Sequence, residues 1–468
     1  MKKPNILMIV VDQLTFRALG RDNHTPNLDA LLEKSMVAEN CTCQCPLCQP
    51  SRASFWSSLY PHQTNVLSNG KRWPAPPLSP EVPTLGKALS DGGYETRHFG
   101  KKHDAGALSG FVCNEEKEEK VPDENPSCRF NMDTYADVFA LKESLAYLNG
   151  RDDSRPLAMV VDLINPHGIC GWVGMHKDGK AEPDLTDLPS LPENFLFDDI
   201  ENRGKAVEYL CCSHIRQAQA SHWSPLLFRQ YMAAYQYYLS VADGMIGEVL
   251  DAWKRKGLEG YILFTSDHGD NYASRGMVTK QVGLYEECVR VPFAISGEDI
   301  APGSLSGLME LLDLAPTVCT LAGVPVPSSF QGLDLSGNFR SGKPIAREYA
   351  VSAWHTEWGF TVSPCRMVRT KEAKYIVYRE DGVEEYYDLV HDPYEKRNVA
   401  SSHPNEVMEM RKLLDAYCKE TGDPFFSLEC HVDKRWRSHE LGFCHHEGPA
   451  APEVPGRIWM VLYKIASW

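Results

Sequence analysis

The chain has no apolar run long enough to cross a membrane. The first such run, Ile6–Val11, is cut short by Asp12, and the two lysines ahead of it lead into Pro4-Asn5, which suits a buried strand better than a leader peptide. Basic runs are missing too. With 48 Lys and Arg against 63 Asp and Glu, the net charge is −15, which argues against a nucleic-acid partner and requires any anionic ligand to be held by a local cationic site. There is no internal repeat. A second, separated cysteine pair at zinc spacing is also lacking, so the cluster Cys41, Cys43, Cys45, Cys48 has no second half. The fifteen cysteines therefore read mostly as small buried thiols in a reducing compartment, and the chain as cytoplasmic.

What the chain does have is length and alternation. Its 468 residues suffice for a large core. Three short β-branched runs each end in polar residues. Asn5–Val11 leads to Asp12-Gln13, 157–164 to Asn165-Pro166-His167, and 260–265 to Ser266-Asp267-His268-Gly269-Asp270. Such runs suit buried parallel strands, and helical patterns at 25–35, 82–91, 138–148 and 227–255 separate them. The expected fold class is α/β, a large, mixed but mostly parallel sheet sandwiched by helices. Ligands of such sheets bind beyond the carboxyl ends of the strands, where these acids and histidines fall. The texture changes near residue 343. Segments 367–378 and 382–389 read as an antiparallel hairpin, and Pro404–Thr421 as an amphipathic helix. We therefore expect a catalytic α/β domain over 1–342 and a small α+β subdomain over 343–468, ending in an extended tail at 445–455. The charged run 115–120 reads as a solvated loop.

The most informative segment is Cys48-Gln49-Pro50-Ser51-Arg52. By itself it is a thiol beside a cation. It also resembles the C-x-P-S-R signature of the type I, formylglycine-dependent sulfatases, members of the alkaline phosphatase superfamily, and Leu59-Tyr60-Pro61-His62-Gln63 continues the likeness. Ser58 stands where that family commonly has Gly. Further blocks follow in the family's order: Asn5–Gln13, Gly100-Lys101-Lys102-His103, Pro166-His167, Thr265–Asp270, Lys280 with Tyr285-Glu286-Glu287, and Arg369 through Asp392-Pro393. Lys102 replaces a common Trp, and Ile169 a common Pro.

The resemblance implies an alkaline phosphatase-like fold and a sulfatase in which a maturation enzyme oxidises Cys48 to formylglycine. Asp12, Gln13, Asp267 and His268, with residue 48, would hold a divalent metal; oxygen-rich ligation implies Ca²⁺, with Mg²⁺ and Mn²⁺ as alternatives. Lys101, His103, His167 and Lys280 would supply the cationic site. In the family's mechanism the formylglycine hydrate attacks sulfur, His167 with Lys280 protonates the leaving alcohol, and His103 draws the proton that releases sulfate. Arg52 orients the nucleophile and Lys101 bridges to the sulfate. Trp354, His355, Trp358, Arg366 and the pair His445-His446 suit the mouth of a pocket for a sulfated sugar, or equally the packing of the subdomain. Two rivals remain at this stage: a phosphonate monoester or phosphodiester hydrolase of the same superfamily, and a non-catalytic metal-binding protein that keeps Cys48 as a thiol.

Overall fold

The strand Asn5–Val11 is buried along its whole length and sorts its side chains by parity. Ile6, Met8 and Val10 enter one hydrophobic core, while Leu7, Ile9 and Val11 enter a second on the opposite face. A strand apolar on both faces can only lie inside a helix-covered sheet, which is where it lies. The structure, a computed structural model, describes residues 3–20, 25–70, 77–114, 132–181, 188–196, 202–204, 206–207, 215–220, 222–280, 283–356 and 361–432.

The main sheet has eight strands, in the order Gly303–Leu305, Met36–Ala38, Phe293–Ser296, Gly260–Ser266, Asn5–Val11, Leu157–Leu163, Glu95–Gly100 and Val112–Cys113. Only Phe293–Ser296 runs against the others. Helices Cys48–Ser57, Leu85–Asp91 and Leu314–Leu321 cover the first core. Helices Met132–Gly150 and Pro225–Arg255 cover the second. The 31-residue helix Pro225–Arg255 opens with Ser224 accepting from the Leu227 amide and Pro225 at its first position, a cap contributing about 1 kcal/mol. This is the expected mixed, mostly parallel, helix-sandwiched sheet. No described helix is long and apolar enough to cross a membrane.

Register sets the site. Val11 pairs with Leu163 on one side and Ser266 on the other, so three strands end at one level and release Asp12, the 164–167 turn and Asp267-His268 together.

The C-terminal unit is a four-stranded antiparallel sheet, Ala350–Trp354, Cys365–Arg369, Ala373–Tyr378 and Glu384–Asp388, with helix Pro404–Thr421 packed against it through a third core. The expected hairpin is corrected in one respect. Segment 367–378 is two strands, because the Thr370 amide donates to the Ala373 carbonyl at 2.9 Å and turns the chain at Thr370-Lys371-Glu372. The run 115–120, Trp358, His445, His446 and the tail lie outside the described residues.

Candidate active site

Four elements converge beyond the ends of the three central strands. Cys48 opens helix Cys48–Ser57, Asp12 and Gln13 follow the first strand, Asp267 and His268 follow Gly260–Ser266, and Lys101 follows Glu95–Gly100. Two glycines make the approach possible. Gly100 has φ +111°, and a β-carbon there would collide with the Asp162 carbonyl that accepts from the Lys101 amide at 3.0 Å. A β-carbon on Gly269 would strike the Glu287 carbonyl.

The Cys48 thiol is the hub. Its Sγ lies 2.8 Å from Lys280 Nζ, 3.2 Å from His268 Nε2, 3.5 Å from Lys101 Nζ and 3.7 Å from Asp12 Oδ1. Burial pushes this thiol up to about 11, although the Lys280 ammonium pulls it down. It is thus protonated at neutral pH and a poor nucleophile as it stands. Of the four clustered cysteines only Cys48 reaches this centre; Cys41, Cys43 and Cys45 are buried in the first core.

Asp12, Cys48, Asp267 and His268 offer donor atoms all within 4.8 Å of one another, the only such cluster among the described residues. His268 Nδ1 lies 2.9 Å from the Gly269 carbonyl, so the proton belongs on Nδ1 and the Nε2 lone pair faces the cluster. Asp267 Oδ1 accepts from the Gln13 and His268 amides at 3.0 and 2.9 Å, and its Oδ2 accepts from Arg52 Nε at 2.8 Å. Burial opposes ionisation of Asp267, but His268, Arg52 and Lys101 hold its carboxyl well below the usual range. Lys101 leans on Asp12. Two buried carboxylates, one imidazole nitrogen and residue 48 fit a divalent cation, and their chemistry is oxygen-dominated. Gln13 turns its amide the other way: Oε1 accepts from Lys280 at 3.0 Å and Nε2 donates to Asp270 at 2.7 Å.

His103 borders the hub, and His167 is close enough for its charge to act on His103. Burial depresses His103 to about 3, and the charges of Lys101, Lys280, Arg52 and His167 add to the effect, so its imidazole is neutral. His167 is half-buried on a turn held by Asp137, which accepts from the amides of Ile164 and Asn165 at 2.6 and 2.9 Å.

Trp354, His355 and Arg366 lie apart from this hub. All three are buried; Arg366 donates to both oxygens of Asp423 at 2.6 and 2.8 Å and stacks on Phe425. Here Arg366 joins the C-terminal sheet to the segment after its helix, and Trp354 packs in the first core. All three also border a small cleft with Cys45, Pro50 and His62, behind the segment that carries Cys48.

Sequence reading gave no role to Asp162 or Asp270. Asp162 accepts from Arg52 Nη1 at 2.5 Å, with every participating side chain fully buried. Its signal was an acid inside an otherwise apolar strand, a charge that burial forbids without a partner. Asp270 was visible as the last residue of the Asp267-His268-Gly269-Asp270 block.

Comparison with known proteins agrees with this geometry. The sulfatase family matches residues 4–324, and the C-terminal family of N-sulphoglucosamine sulphohydrolase matches 275–420. A Δ4,5-hexuronate-2-O-sulfatase of Bacteroides thetaiotaomicron is 38% identical over 97% of this chain and 96% of its own. A choline-sulfatase of Rhizobium meliloti is 28% identical over 86% and 83%. The solved structure of a 2-O GAG sulfatase superposes with a TM-score of 0.87 at 37% identity, covering 97% of this chain and 100% of that one. The chain therefore belongs to the sulfatase family, whose members work through formylglycine and a divalent metal, and it is a sulfuric ester hydrolase.

Proposed function

We propose that the protein removes the 2-O-sulfate from a sulfated, unsaturated hexuronic acid released from a glycosaminoglycan-type polysaccharide. The observation that carries this reading is the 38% identity, nearly end to end in both chains, with a Δ4,5-hexuronate-2-O-sulfatase. The site's chemistry supports it, since the cations crowded on residue 48 give an acidic chain the local positive field that a sulfate ester needs.

Formylglycine at position 48, made by a maturation enzyme acting on Cys48, supplies an oxygen nucleophile in its hydrated form. Ca²⁺ is the ion we assign to Asp12, Asp267 and His268 together with residue 48, with Mg²⁺ or Mn²⁺ as substitutes, and its chemistry is to polarise sulfuryl oxygens. The remaining roles belong to side chains. Lys101 and Lys280, both in contact with residue 48, hold the non-bridging oxygens as charge builds on them. Arg52 keeps Asp267 ionised and aimed. His167, on its rigid turn, is assigned the proton donated to the leaving hydroxyl, and neutral His103 the proton withdrawn as sulfate leaves.

A uronate also carries a carboxylate. Arg216 lies against Gly174, where a β-carbon would collide with its guanidinium, and its charge is felt at Cys170, one turn back on the same helix. Cys170 in turn lies 3.8 Å from Gln13. Arg216 makes no ion pair among the described residues; it donates to Gln219 at 3.2 Å. We assign this guanidinium to the substrate carboxylate.

The test is sulfate release by the converted enzyme from a 2-O-sulfated Δ4,5-unsaturated disaccharide, beside the same disaccharide sulfated only at C6 of its hexosamine and an aryl phosphonate monoester. Preferential turnover of the first is expected. Preference for the 6-O-sulfated sugar would overturn the assignment of position, and preference for the phosphonate the assignment of substrate class.

A further inference from the structure

Behind Lys280 runs a chain of hydrogen bonds whose direction is fixed by chemistry. Asp270 and Tyr231 are both fully buried. Asp270 Oδ2 accepts from Gln13 Nε2 at 2.7 Å, while its Oδ1 accepts from the Tyr231 hydroxyl at 2.6 Å and the Tyr272 amide at 2.7 Å. The Tyr231 oxygen also accepts from the Thr279 amide at 2.8 Å, next in sequence to Lys280. Gln13 Oε1 accepts from Lys280 Nζ at 3.0 Å, and that ammonium sits 2.8 Å from Cys48 Sγ.

A carboxylate only accepts and an ammonium only donates, so the carboxamide between them has one permitted orientation. Its nitrogen must face Asp270 and its oxygen must face Lys280. The flipped amide would set oxygen against carboxylate and NH₂ against ammonium, two repulsive contacts in a site closed to water. Tyr231 grips the other side of the same unit through the backbone that carries Lys280.

We propose that Asp270 and Tyr231 are positioning residues: they lock the Gln13 amide with its oxygen toward the reacting centre, and thereby hold the Lys280 ammonium against residue 48. This rests on the sulfate-ester reading of that centre and deepens it. The device acts through hydrogen-bond polarity, so reversing two polarities at once should undo the damage of reversing one.

The experiment uses the full chain in four forms: parent, Asp270→Asn, Gln13→Glu/Asp270→Asn and Tyr231→Phe. The Asp270→Asn change keeps the shape of the side chain but presents an NH₂ to Gln13 and forces the flip. In the double variant the carboxylate introduced at position 13 accepts both from that NH₂ and from Lys280, at unchanged net charge. Asp270→Asn should lower kcat by about 10- to 100-fold with little change in KM, as expected when the partner of an active-site ligand is lost, and the double variant should recover most of that loss. A second series in the Cys48→Ala background measures affinity for inorganic sulfate calorimetrically, and the same ranking is expected there without any turnover. Unchanged kcat and sulfate affinity in Asp270→Asn would overturn the proposal. So would a double variant as impaired as the single one, since Asp270 would then act by some route other than Gln13. If Asp270→Asn does not fold, judged by circular dichroism, Tyr231→Phe decides: a drop in kcat and sulfate affinity supports the clamp, and parent values refute it. A parent enzyme silent on every sulfate ester would refute the function proposed above, while the sulfate affinities would still decide this inference.

Discussion

Replacing Arg52 by Met tests the electrostatic logic of the site in a quantity that needs no substrate. The guanidinium and both of its carboxylate partners are fully buried, with contacts of 2.8 Å to Asp267 and 2.5 Å to Asp162. Met matches much of the Arg volume, so the change chiefly deletes a charge. Removing one member of a buried ion pair typically costs about 3–5 kcal/mol, because the partner is left charged and dry. The two carboxylates will not share that cost equally. Among the described residues Asp267 keeps the Gln13 and His268 amides, whereas Asp162 keeps only His98 at 3.4 Å, with no hydrogen-bond partner for its Oδ1. Most of the loss should therefore sit on Asp162, and neutralising it should relieve the loss. We expect Arg52→Met to lower unfolding free energy by about 3–5 kcal/mol, and Arg52→Met/Asp162→Asn to be more stable than the sum of the two single changes predicts by about 1–3 kcal/mol. Urea unfolding followed by tryptophan fluorescence, with the three variants and parent in a chelator-containing buffer, measures both quantities. A loss below about 1 kcal/mol for Arg52→Met, or additivity within about 0.5 kcal/mol, would refute the reasoning.

Three further outcomes follow from the same contacts. Cys48→Ala should abolish sulfate release while leaving the fold intact, since one small side chain is removed; turnover of the variant within tenfold of parent would contradict the assignment of residue 48. Arg216→Ala should raise KM for the sulfated uronate by about 10-fold or more, the scale of a lost charge-assisted hydrogen bond, and leave KM for a sulfated neutral sugar unchanged; equal effects on both would sink the carboxylate assignment. Burial raises the Asp423 carboxyl, but Arg366 outweighs it and holds the carboxyl below its ordinary value. A depressed carboxylate contributes stability that is present above the unfolded value, near pH 4, and is lost as pH falls below it. Arg366→Met should therefore flatten the acid limb of the thermal-midpoint profile below about pH 4, and a limb parallel to parent would show that Asp423 draws nothing from Arg366.

The sequence carried the parts of this molecule that follow from local chemistry. A run such as Ile6-Leu7-Met8-Ile9-Val10-Val11 excludes an exposed position on either face, and three such runs ending in acids and histidines already imply one sheet and one edge. The turn at Thr370-Lys371-Glu372 escaped because it holds neither Gly nor Pro, and its Lys-Glu pair blends with the polar alternation of the strands beside it. The side chains escaped for a different reason. Whether Arg366 meets a ligand or an acid depends on Asp423, 57 residues away, and whether Gln13 turns toward a metal or a lysine depends on Asp270 and Lys280, more than 250 residues on. Residue type and spacing name the members of a polar network. Only the three-dimensional path of the chain decides which donor finds which acceptor, and that pairing gives each member its task. Asp162 shows both halves of the argument, since its presence in a buried strand demands a cation, yet nothing local to residues 157–163 says that the cation is Arg52, 110 residues earlier in the nucleophile's own helix.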